Sequence, residues 1–441
     1  MRDATRRWID ADHRHCWHPF TPQDDWCAPD HEPLVITHGQ GSWIHDSEGR
    51  RYLDGNSSIW TNIHGHAHPA INQAITRQLE DIAHLSFLGF THPKAAELAT
   101  KLCSFFPQDT LERVFYSDDG STAVECALKM AVQYRQQSGQ PARNGFLVFA
   151  DGYHGNTLAA ASLGGSRFFD RFKGTGYPTA HVRSLDNLRS LDPDTIARTA
   201  GVVIEPLIQG ANQMRPWPPG MLAELRAWCT DHHVHLILDE VMTGFGRTGT
   251  LFACQRESVT PDFLCLAKGL TGGYLPMAAT LTTAEIYDAF RGPAENSFSY
   301  GHSYTANPLG CAAALASLEL FESEDTLANL APKIDHMAAG LTALKLAHPI
   351  VHDVRQCGFV AGIELRRPDG SPFPAETRTG EAVCTAARKH GLLTRPILDT
   401  LVLMPPLCTT ADELDHAFTA LGCAISEISA NPGIDTRPAT A

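Results

Sequence analysis

A chain of 441 residues, 43% apolar and 19% charged, is long enough for one large core with smaller lobes around it. Its formal charge of −14 opposes nucleic acid and anionic membrane surfaces, so small-molecule chemistry is the better expectation. The 12 cysteines are scattered without a close CxxC pair and read as mostly buried, reduced thiols. The charged start "MRDATRRWIDADHRH" has no apolar signal core, and no apolar run nears the roughly 20 residues a bilayer needs, so a cytoplasmic enzyme is expected.

In chain order, residues 1–68 are expected to form the N-terminal segment of a small lobe. Within it "LVITHGQGSWIHDSEGRRYLD" (34–54) alternates short β-type runs with glycine turns. Over 69–325 the pattern becomes "RVFYS", "GFLVFA", "AGVVIEP", "VHLILDE", "DFLCLA" and "MAATLTT", separated by helical stretches. In "STAVECALKMAVQYRQQ", for example, Ala123, Ala127, Met130 and Tyr134 recur at helical spacing. Strands alternating with helices predict an α/β large domain, a mostly parallel sheet flanked by helices. A C-terminal α/β lobe is expected over 326–430, built on "HDVRQCGFVAGIEL" and a helix near 378–390, and a flexible tail over 431–441. The two termini together make the smaller lobe.

Sheets of this kind bind ligands beyond the C-terminal ends of their strands, and the chemistry-bearing residues fall there. After "RVFYS" comes "DDGSTAVE", where Gly120 and Ser121 open a helix suited to a phosphate, or Ser121 is a plain N-cap. After "GFLVFA" comes "DGYHGNT", with Tyr153 placed to stack on an aromatic ligand or merely to pack. Asp239 and Glu240 end "LILDE"; Asp239 facing a cationic ring nitrogen is one reading and an ordinary helix-start pair is the other. Glu205 reads as a structural carboxylate in preference to part of a cofactor surround.

Lys268, one of eight lysines, ends the apolar run "FLCLA". A P-loop lysine needs GxxxxGK[ST], which is absent. A snorkelling lysine explains the residue but not its company. A Schiff-base lysine needs a phosphate site, a carboxylate and a stacking aromatic on separate strand ends, and this conjunction favours it. "HRHCWH" (13–18) and "HGHAHP" (64–69) invite a metal, but a metal site draws ligands from several elements, so no metal is expected.

The stretch "LILDEVMTGFGRTGTLFACQRESVTPDFLCLAKGLTGG" resembles the signature of class III pyridoxal-phosphate aminotransferases of fold type I, and the resemblance runs from "WHPFTP" (17–22) to "TRPILDTLVLMPP" (394–406). Within the class, "WHPFTP" and "DGNSSIWTNIHGHAHP" are similar to the branch that converts 8-amino-7-oxononanoate to 7,8-diaminononanoate in biotin biosynthesis. They separate it from ornithine, γ-aminobutyrate and glutamate-semialdehyde relatives. The resemblance implies pyridoxal 5′-phosphate as cofactor, with Lys268 as the imine-forming lysine and Asp239 on the ring nitrogen. It also implies Gly120 and Ser121 on the phosphate, Tyr153 over the ring, and Trp60 walling the substrate pocket. A homodimer with shared sites is implied, in which the family's phosphate-binding threonine, from the partner subunit, is replaced by Ser303 after Gly301 and His302. Arg395 matches the family's carboxylate clamp.

Two positions depart from the commonest pattern: Phe20 stands where many members have tyrosine, and Ile59 where they have a second tryptophan. Both belong to the expected substrate site. S-adenosylmethionine is the family's default amino donor, and L-lysine is the second expectation. A general ω-aminotransferase is the alternative activity. A catalytically inactive binding protein on this fold would be marked by loss of the lysine, and Lys268 is retained.

Overall fold

The computed structural model describes residues 1–29, 31–165, 170–172 and 174–430, and the tail expected over 431–441 lies outside them. A seven-stranded sheet runs, edge to edge, Leu111–Ser117, Ala278–Thr283, Phe263–Leu266, His235–Asp239, Thr199–Ile204, Gly145–Phe149 and Thr179–Val182. Ala278–Thr283 is antiparallel to both its neighbours, and every other pairing is parallel. This is the mostly parallel α/β architecture that the alternation of runs and helices predicts.

The strands read as unbroken apolar runs because both faces are covered. Phe146, Val148, Val203, Ile237, Phe263 and Cys265 enter one hydrophobic cluster, beneath the helix Gly120–Gln137. Their neighbours Leu147, Phe149, Val202, Ile204, Leu236, Leu238, Leu264 and Leu266 enter the other. The two-residue period of a strand thus divides one run between two cores. The parallel strands bring Phe149, Ile204, Asp239 and Leu266 to a common edge, and Ser117 reaches the same edge through its pairing with Ala278.

The smaller sheets draw on both ends of the chain. Ile36–Gln40, Trp43–Asp46 and Arg51–Asp54 form a meander, and Leu392–Leu393 adds in parallel beside Arg51–Asp54. A second sheet orders Val351–Cys357, Val360–Leu365, Thr400–Leu403 and Pro396–Ile397. It packs with the helices Thr326–Ala347, Thr379–Lys389 and Ala411–Ser429. One helix was not anticipated from the polar start: Asp3–His15 carries Asp3 in its first turn and His13, Arg14 and His15 in its last, complementing the helix dipole. Seven cysteines are buried: Cys126, Cys229, Cys254, Cys265, Cys311, Cys357 and Cys384. Among the described residues no helix is long and apolar enough to cross a membrane.

Candidate active site

At the common strand edge lies a cleft of about 370 Å³, lined among others by Trp60, Gly120, Ser121, Tyr153, Asp239 and Lys268. Lys268 reaches it because the fully buried strand Phe263–Leu266 ends there and the backbone turns at once. Its φ of 46° is left-handed, a costly conformation for a residue with a Cβ. The turn is held tight by Gly269, where an added Cβ would sit 2.9 Å from that of Phe245. Lys268 Nζ lies 4.9 Å from the centre of the Trp60 ring. Burial pushes the ammonium's pKa below its ordinary value and nearby Arg247 adds to this, against the opposing pull of Asp239 and Glu205. Trp60 is fixed by its own Nε1–H donating to Asn56 Oδ1 at 2.9 Å.

Asp239 is 4% exposed, and its carboxylate is held at both oxygens. Oδ1 accepts the Val241 N–H at 3.1 Å, and Oδ2 lies 2.8 Å from Nδ1 of buried His154. Burial alone would depress the imidazole pKa; the hydrogen bond and charge of Asp239 outweigh it and raise it above the ordinary value. The pair therefore fixes the Asp239 side chain at the strand end, where a carboxylate can face a cationic ring nitrogen.

The helix Gly120–Gln137 presents its N-terminus to the cleft. Asp119, not Ser121, is the N-cap: its side chain accepts the Thr122 N–H, which leaves the N–H groups of Gly120 and Ser121 as the first turn's remaining donors. Two glycines make room there. A Cβ on Gly120 would fall 2.5 Å from Val241 Cγ1, and one on Gly155, at φ 120°, would fall 2.7 Å from Ser121 Cα. The Gly155 loop lies over the turn, and the Asn156 N–H donates to Ser121 Oγ at 3.0 Å.

Tyr153 stands at the wall, half-buried, with Asn156 Nδ2 donating to its hydroxyl at 2.9 Å. Glu205 also lines the cleft and braces it, accepting the N–H groups of Tyr153 and Gly210 at 3.2 and 2.8 Å. Burial, with Asp239 adding to it, pushes its pKa up to about 7.

The remaining expected residues do not line this cleft. Phe20, Ile59, Gly301, Ser303 and Arg395 are exposed, and His302 is half-buried beside Asp118. The histidines of 64–68 diverge: His64 meets Ser317, His66 meets Asp54, and His68 meets Glu324. Sequence reasoning passed over His154, although "DGYHGNT" was singled out. A polar residue beside a candidate stacking aromatic at a strand end was the available signal. It also passed over Arg247, fully buried in "GFGRTG", whose guanidinium donates to the carbonyls of Asn62 and Pro405 at 2.6 Å each. Nothing local in the sequence distinguishes that arginine from a surface one.

The family model for class III aminotransferases matches residues 27–425. The chain belongs to the class III aminotransferases. An adenosylmethionine-8-amino-7-oxononanoate aminotransferase of Geobacter sulfurreducens is 44% identical over 95% of this chain and 97% of its own length. The crystal structure of an enzyme of the same name from Methanocaldococcus jannaschii superposes with a TM-score of 0.92 at 39% identity, covering 96% of this chain and 99% of that one. An amine transaminase from an uncultivated Pseudomonas species, solved in its PLP-bound form, is 33% identical with a TM-score of 0.86, over 94% of this chain and 98% of that one. Class III aminotransferases depend on pyridoxal 5′-phosphate. The cleft of this family member fits that group, with a buried lysine whose pKa is lowered, a fixed buried carboxylate and an open helix N-terminus around one space.

Proposed function

We propose that this aminotransferase transfers an amino group to 8-amino-7-oxononanoate, giving 7,8-diaminononanoate, with pyridoxal 5′-phosphate held in the strand-end cleft. The observation that carries the reading is the convergence of Lys268, the Asp239–His154 pair and the Gly120–Ser121 turn on one cavity. The names of the G. sulfurreducens and M. jannaschii relatives support the substrate, and the sequence resemblance places the step in biotin biosynthesis.

Gly120 and Ser121 would hold the phosphate, Asp239 the ring nitrogen, Tyr153 the ring face and Lys268 the aldehyde carbon. When bound, the cofactor supplies a carbonyl for the amine and a ring that accepts the electron pair left at the donor carbon. Asp239, fixed by His154 and the Val241 N–H, would face the ring nitrogen and favour its protonated form. Lys268, whose proton affinity is lowered by burial, is suited to a neutral amine that takes a proton from the donor's amine-bearing carbon. On the keto acid it returns a proton to the carbon that becomes the new amine. The Trp60 ring stands beside the lysine amine, its centre 4.9 Å from Lys268 Nζ.

Phe20, Ile59, Gly301 and Arg395 are assigned to the substrate and Ser303 to the cofactor phosphate of a partner subunit; His302, expected there as well, faces Asp118 and Tyr300 of its own chain and supports the loop. A homodimer is supported by the large apolar side chains left open on the single chain. Leu88 and Phe90 are 89% and 63% exposed, and Tyr304, beside Ser303, is 61% exposed. The free cysteines suit a cytoplasmic location.

The donor is S-adenosylmethionine, as the relatives' names have it; Phe20 and Ile59 keep L-lysine as the competing donor. The test mixes the cofactor-loaded protein with each donor alone and follows the cofactor's visible absorbance. Loss of absorbance with S-adenosylmethionine alone supports it over lysine, and the reverse selects lysine. A response to neither, with a response to a simple ω-amine, would replace the reading with a general ω-aminotransferase.

A further inference from the structure

His302 and Ser303 sit on one loop but face different surroundings. Ser303 and its neighbours Gly301 and Tyr304 are exposed. His302 turns back onto its own chain: Nδ1 lies 3.0 Å from Asp118 Oδ2, and Nε2 lies 3.0 Å from the Tyr300 hydroxyl. That Nδ1 is shut off from solvent and makes no hydrogen bond among the described residues, so it meets Asp118 as a close charged neighbour and not through an aligned bond; the second oxygen, Asp118 Oδ1, is likewise buried without a hydrogen-bond partner among them. The loop is closed by the His302 N–H donating to Thr305 Oγ1 at 2.9 Å. Tyr300 in turn is fixed under Lys129, whose Nζ lies 4.3 Å from its ring centre. The base of the loop is therefore anchored, and its outermost contact is with Asp118, two residues before the Gly120–Ser121 turn.

We infer that Asp118, although it lines its own chain's cleft, is a positioning residue for the opposite site of the dimer, acting through His302 to hold Ser303 toward the partner's cofactor phosphate. The inference rests on the shared-site reading above. A carboxylate beside an anion site would repel the ligand it faces, whereas one that grips an imidazole and leaves a hydroxyl projecting serves the ligand that the hydroxyl meets. Asp118 in this role costs its own site little, because the anion is met by the two N–H groups beyond it.

The experiment uses mixed dimers carrying two purification tags, in which Lys268→Ala leaves one chain unable to fix the cofactor. Pyridoxal phosphate is titrated, trapped on the remaining Lys268 by borohydride and counted by mass. In the first dimer a wild-type chain is paired with one carrying Asp118→Asn and Lys268→Ala, so the surviving lysine faces the variant chain's Ser303. In the second, an Asp118→Asn chain is paired with a Lys268→Ala chain, so the surviving lysine faces an intact loop. The expected result is cofactor affinity about fivefold to tenfold weaker in the first dimer and near wild type in the second. The opposite pattern, or equal affinities in both, overturns the inference. His302→Gln in the same two arrangements must give the same pattern, which guards against a misfolded Asp118 variant. Ser303→Ala tests the underlying reading separately: a monomer by light scattering, or a Ser303 effect confined to its own chain's lysine, removes the shared site itself.

Discussion

The strand-end cleft and the outward-facing residues are two halves of one proposed site, and they differ in what holds them. Asp239, His154 and Glu205 are each at most 5% exposed and bound by hydrogen bonds within the chain. Phe20, Ile59, Ser303 and Arg395 are exposed, and none lines the cleft. The first half is built by the sheet: parallel strands must end at one edge, and whatever follows them meets there. The second half, on the proposed reading, is completed by a partner subunit. Chemistry is thus written into the sheet, while recognition is assigned to its surroundings.

The sharpest way to break that comparison is at Lys268. Lys268→Ala is expected to lower transamination by roughly 10⁴-fold or more while leaving the apo-protein's melting temperature unchanged or higher, since a buried amine is removed. Steady-state rates and thermal melts check the two together. A fall in stability instead would make the lysine a structural member of the sheet edge. Asp239→Asn comes next, with an expected loss of roughly 10²–10³-fold in kcat. It also removes the hydrogen bond and charge that raise the His154 pKa, leaving burial opposed only by the charge of Glu205, so the imidazole pKa should drop. In the wild type the raised His154 pKa adds stability that is full below about pH 6.5 and is lost as pH rises through the folded pKa. That contribution should vanish in the variant, which imidazole NMR and pH-dependent melting resolve.

What could be read in the sequence follows the same division. The runs "FLCLA" and "LILD" identify themselves as buried strands by length and apolar content, and the residue after such a run has a predictable place. Lys268 and Asp239 were therefore legible one at a time, and their meeting followed from topology. Gly120 was legible as a turn, but Ser121 stayed open between a phosphate role and a plain N-cap; the cap belongs to Asp119, because either side chain satisfies the local pattern and only the closed turn decides. His154 was hidden because its partner, Asp239, lies 85 residues away. Arg247 was hidden because its acceptors are backbone carbonyls, which carry no sequence signal. For Phe20 and Arg395, family resemblance supplied a role that local pattern could not.

Arg395 tests the outward half directly. If it receives the substrate carboxylate, Arg395→Ala should raise KM for the keto acid by roughly 10- to 100-fold with little change in kcat, the mark of an interaction made equally in ground and transition states. The amino-donor half-reaction should respond less, since the donor presents a different group. Equal losses in both half-reactions would instead place the arginine with the chemical machinery.

Glu205 stands inside the cleft yet reads as a brace, and its predicted effect is the smallest. Its pKa is pushed up to about 7 chiefly by burial, so the folded protein holds a proton that the unfolded chain releases near pH 4.5. Between those values the folded state binds more protons, and stability falls as pH rises; above about 7 the cost is fully felt. Glu205→Gln cannot ionise, so the apo-protein's melting temperature should fall less steeply from pH 5 to pH 8, by roughly 2 °C. Replacing one acceptor oxygen by an amide group leaves either the Tyr153 or the Gly210 N–H without its partner, which lowers the melting temperature by a similar amount at every pH and leaves the slope as the diagnostic. An unchanged slope would mean that Glu205 stays ionised when folded, with His154 as its counter-charge. The buried acid would then belong with the Asp239 pair as part of the cofactor surround.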